Sequence, residues 1–79
     1  MTANDLKKII SDACDDITFT YNDKKCGIFP TVEDGNPTYS TWFGDTHQDF
    51  FDAYSIMTAL FFDGKSLNEI ANQIEIQFY

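Results

Sequence analysis

The chain has 79 residues with hydrophobic content of 43%, room for one domain and too apolar for a disordered chain. Thirteen acids face five lysines and no arginine, for a net charge of −8. Phosphate neutralisation by Lys and Arg supplies most nucleic-acid affinity, so direct binding to DNA or RNA is excluded, and an anionic membrane surface would repel the chain.

Leu6, Ile9, Ile10 and Ala13 recur at i, i+3, i+4 and i+7, predicting an amphipathic helix over 3–15. Thr2 with Asp5 three positions later reads as its cap. Asp5, Asp12 and Asp16 project at nearly one angle beside the apolar stripe. At residue 17 the period changes to two: Ile17, Phe19 and Tyr21 alternate with Thr18 and Thr20, a half-buried strand. Residues 22–25 form a polar turn, and 26–32 a second strand. Pro30 cannot donate to a ladder, so this strand is expected at an edge or bent there. The cluster at 33–37 is a turn, and 38–43 a third strand, with Tyr39 and Phe43 on one face and Trp42 on the other.

Gly44 and Asp45 break this run, and Thr46 with Asp49 resembles a capping pair. A helix is expected over 47–60, with Phe50, Ala53, Tyr54, Met57 and Phe61 as its stripe. Asp63 and Gly64 end it, and Ser66 with Glu69 opens a short helix. Ile74, Ile76 and Phe78 alternate along a closing strand over 74–79, paired beside the first. The expected order is α-β-β-β-α-α-β, an α+β fold whose antiparallel sheet has three meander strands plus a C-terminal strand, with helices on one face. Phe19, Phe50, Tyr54, Met57 and Ile70 are the expected core. Thirteen aromatics exceed what so small a core needs, which leaves some for a binding surface.

Motifs for chemistry are sparse. Gly64-Lys65-Ser66 ends like a phosphate-binding loop, but Ala59 stands where that loop needs its first glycine, and a helix precedes it. It reads instead as a helix stop followed by an N-cap. Cys14, Cys26 and His47 are the only soft metal ligands, on three different elements and without paired spacing. With Asp45 they outline a small zinc-dependent domain as one alternative, but no metal or cofactor is the expectation. Cys26 with His47 lacks the oxyanion-binding nest that nucleophilic catalysis requires, so no enzyme is expected. No apolar stretch reaches the roughly 20 residues of a membrane span, and no leader is legible, which points to the cytoplasm.

The acids carry the most information. Asp45, Asp49 and Asp52 fall at i, i+4 and i+7 of the predicted helix, about 5–6 Å apart, similar to phosphates along a strand. Asp12, Asp15 and Asp16 crowd the unfavourable C-terminal end of the first helix, where negative charge costs stability. These six acids and Trp42 are the candidate partner-binding residues.

The stretch 21–45, YNDKKCGIFPTVEDGNPTYSTWFGD, together with FFDGKSLNEI at 61–70, resembles small acidic proteins of phages and mobile elements of Gram-positive bacteria. Such proteins include inhibitors of CRISPR nucleases, some of which mimic DNA. The resemblance implies a non-enzymatic inhibitor acting in the host cytoplasm, docked on a basic groove of a nucleic-acid-handling protein such as a CRISPR effector nuclease. The alternative is an accessory or assembly module whose acidity serves solubility alone.

Overall fold

The computed structural model describes residues 1–12 and 15–78. Its elements are α1 (Ala3–Asp12), β1 (Ile17–Tyr21), β2 (Lys24–Glu33), β3 (Asn36–Phe43), β4 (Thr46–Phe50), α2 (Ala53–Thr58), α3 (Leu67–Ile70), a 3₁₀ turn (Ala71–Gln73) and β5 (Gln77–Phe78). The five strands form one antiparallel sheet in the order β4-β3-β2-β1-β5. The α+β class is as expected, and a terminal strand lies beside the first, but it spans only Gln77–Phe78 of the expected 74–79, with Tyr79 outside the described residues.

The meander has four strands, not three. Residues 46–50, expected within a helix over 47–60, pair instead with β3 from Phe43↔Thr46 to Tyr39↔Phe50. The cause is the turn. Gly44 takes φ +59 and Asp45 does not, the signature of a type II′ two-residue loop that folds the chain straight back. The other hairpin loops have both residues at positive φ, Asn22-Asp23 at 50 and 63 and Asp34-Gly35 at 51 and 79, as type I′ turns require. The helical remainder is only α2. Its N-cap is Asp52, whose carboxylate accepts from the Ser55 N–H at 2.7 Å. The expected Thr46–Asp49 cap does not form.

Two-residue loops make the flanking pair a hydrogen-bonded one, and antiparallel pairs then alternate. From Glu33↔Asn36, this places Val32↔Pro37 and Pro30↔Tyr39 at non-bonded positions, so neither proline nitrogen faces the other strand of its hairpin. Pro30 instead faces the β1 side, two residues past Ile28, the last residue that β1 reaches. The edge expected from Pro30 is therefore local: β2 is central below it and unflanked on that side above it.

One face of the sheet is covered. Ile17, Phe19, Cys26, Ile28, Tyr39, Phe43 and Phe50 pack against Leu6, Ile10, Ile56, Met57, Leu67 and Ile70 in a single core. Phe62 sits at its centre, fully buried, with ring centroids 5.7 Å from Phe19, 6.0 Å from Phe43 and 5.1 Å from Phe61. Phe19, Phe50, Met57 and Ile70 are buried as expected, but Tyr54 is 69% exposed. The shift follows from the shorter helix: in six residues α2 buries only Ile56 and Met57. Thr2–Asp5 and Ser66–Glu69 form reciprocal caps as expected. Phe62 and Lys65 exchange backbone hydrogen bonds around Asp63-Gly64, and the Asn22 amide donates to the Asp63 carboxylate at 2.8 Å, tying this turn to the first hairpin.

Candidate functional site

Alternation along the strands sends one residue in two to the face without helices. Reading the register across the sheet gives one row of Gln77, Thr18, Gly27, Trp42 and His47, and a second of Phe29, Ser40 and Asp49. Trp42 and Phe29 meet edge to face with ring centroids 4.7 Å apart, and both remain partly buried. They can do so because Gly27 lies between Thr18 and Trp42 with no side chain. A Cβ built there would come within 2.1 Å of two carbons of the six-membered ring of Trp42. The indole therefore lies flat across the backbone of β2.

Asp49 ends the Phe29 row on β4, and Asp16 immediately precedes Ile17, whose partner Ile28 adjoins Phe29. His47 stands beside Trp42, with its Nε2 3.5 Å from the Asp49 carboxylate. A groove of about 690 Å³ borders the other side of Trp42, lined by Thr18, Thr20, Lys25, Gln73, Glu75 and Gln77. Phe19 and Cys26 also border it.

The seven candidate residues thus separate. Trp42 and Asp49 share the open face, and Asp16 immediately precedes β1. Asp45 occupies the β3–β4 loop at the end of that face. Asp52 is taken up as the α2 cap, its two carboxylate oxygens accepting from the Ser55 N–H and hydroxyl. The helical row of Asp45, Asp49 and Asp52 is corrected, because its middle member lies on a strand. Asp12 closes α1, while Asp15 and Asp16 lie past its end, so no single helix presents all three. Phe29 was missed from the sequence. The available signal was its spacing from Trp42 across a two-residue Asp-Gly loop, which fixes the register once the loop type is recognised.

The soft-ligand set does not assemble. Cys26 points into the core and His47 to the open face, so the sheet separates them, and Cys14 lies outside the described residues. Among the described residues no three of His, Cys, Asp or Glu converge as a metal site. Burial pushes the Cys26 thiol up to about 11, the direction opposite to an activated nucleophile. Gly64-Lys65-Ser66 is a turn and an N-cap, with Ser66 accepting from the Glu69 N–H. The Ser66 backbone and hydroxyl donors hold the Glu69 carboxyl below its usual range.

Among the described residues no helix is long and apolar enough to cross a membrane. Comparison with known proteins finds no matching family model, curated protein or solved structure.

Proposed function

We propose that this chain is a non-enzymatic binding protein that docks its open sheet face on a basic surface of a nucleic-acid-handling protein. The observation that carries the reading is the Trp42–Phe29 pair, partly buried on the sheet face opposite the core, with Asp49 on the same face. Aromatic anchors ringed by polar groups are the usual energetic centre of an interface. The net charge of −8 adds long-range attraction to a basic partner and speeds the encounter. Given the resemblance to mobile-element proteins, CRISPR effector nucleases are the first partners to test, with blockade of nucleic acid or of a conformational step as the mechanism.

The experiment is a capture assay on a panel of such nucleases with wild type, Trp42→Ala and Asp16→Asn/Asp49→Asn, at low and high salt. Trp42→Ala should weaken binding by about 2 kcal/mol or more, as loss of a hot-spot aromatic does. The carboxylate pair should act mainly through slower association, and wild-type binding should weaken as salt rises. Salt-independent capture retained by both variants would refute the reading. Capture by no member of the panel would favour the accessory-module alternative.

A further inference from the structure

The outward edge of β4 presents backbone groups beside the open face. Phe43↔Thr46 flanks a two-residue loop and is hydrogen-bonded, so Thr41↔Gln48 and Tyr39↔Phe50 are bonded too. The N–H and C=O groups of His47 and Asp49 must then point away from β3, toward the outside of the sheet. β4 is a terminal strand of the sheet order, so among the described residues no strand receives them. Both side chains stand on the open face, 61% and 45% exposed.

We infer that this edge pairs with the same edge of a second copy of the chain, about a two-fold axis through Gln48. Antiparallel pairing centred there sets His47 opposite Asp49 of the other copy, and Asp49 opposite its His47. Each pairing exchanges the outward N–H and C=O of both residues, giving four backbone hydrogen bonds. It also brings each imidazole against a carboxylate on the same face, a favourable cross-strand combination. The short sequence Thr46-His47-Gln48-Asp49-Phe50 is thus complementary to itself in the register of a two-fold axis through Gln48. The product is a continuous ten-stranded sheet. Phe51 and Tyr54, 67% and 69% exposed, follow immediately at the end of β4. The two Trp42 residues lie on the same side of this extended sheet, each one strand in from the junction.

Sedimentation equilibrium over a wide concentration range tests this, with the charge-swap series as its core. Wild type should show a monomer–dimer equilibrium. It should tighten at higher salt, because two copies of net charge −8 repel and salt screens them. That trend is opposite to the one expected for a basic partner, so the two readings fail separately. His47→Asp should weaken the dimer at least tenfold by facing carboxylate with carboxylate, and His47→Asp/Asp49→His should restore it. Asp49→Pro removes the carboxylate and an outward N–H but no bond to β3, and should also abolish pairing, with the thermal midpoint confirming that the fold survives. Wild type that stays monomeric at millimolar concentration and high salt, or dimers unaffected by both His47→Asp and Asp49→Pro, would overturn the inference.

Discussion

Gly27 and Trp42 depend on each other. The indole lies over the glycine because nothing else fits beneath it, and a methyl at that position would lift the ring. Gly27→Ala is expected to cost about 1–3 kcal/mol, the range for overpacking a filled contact. It should also shift the emission of Trp42, the chain's single tryptophan, and thermal denaturation with fluorescence reads both effects. Unchanged emission and stability would place the ring elsewhere. On the covered face, Cys26 is pushed up to about 11 by burial, and Tyr39 is also raised, by burial and then by the Asp52 carboxylate. Each group is raised in the folded state, so its stabilising contribution is complete below the unfolded value. It is lost as pH climbs through the folded one. Stability should accordingly hold to about pH 9 and decline toward pH 11, and Cys26→Ser should flatten part of that decline in a pH series of denaturant midpoints.

At the scale of elements, α1, β1 and the two reciprocal caps are legible because local signals agree with the fold. Leu6 and Ile10 keep helical spacing, and Ile17, Phe19 and Tyr21 keep strand spacing. β4 was illegible for a physical reason. Thr46 to Asp49 carries no apolar residue, since an edge strand with a solvent-facing side need bury only Phe50. The next apolar residues then extend a false helical stripe backwards into it. The type II′ turn at Gly44-Asp45 was the deciding signal, because a glycine at positive φ followed by Asp returns the chain as a strand. The same misreading hid the cap at Asp52. Asp52→Ala is expected to destabilise by about 1 kcal/mol, whereas Asp52→Asn retains an acceptor and should cost little. Chemical denaturation of the two variants distinguishes a capping role from one of charge alone.

Over the whole molecule, the division of labour between the two sheet faces is the organising fact. One face gathers rings around Phe62, and the other holds Trp42 and Phe29 partly buried. Composition gave warning of the surplus, and the placement of Trp42 opposite Tyr39 and Phe43 followed from strand alternation. Which acids share the face with it depended on hairpin register and on where α1 ends, and neither is set by charge spacing in the sequence. Asp49 lies on the face of the aromatic pair through its register with Ser40, whereas Asp52, close to it in sequence, is committed to a helix cap.

Carboxyl footprinting of the captured complex tests this placement most directly. Free and bound protein, at equal concentration, are labelled with a water-soluble carbodiimide and an amine, and modification is read residue by residue by mass spectrometry. Docking through the open sheet face predicts strong protection of Asp16 and Asp49, with Asp23, Asp34 and Asp63 at the turns labelled as in the free chain. Protection confined to Asp5, Asp23 or Glu69, with Asp16 and Asp49 unchanged, would contradict it.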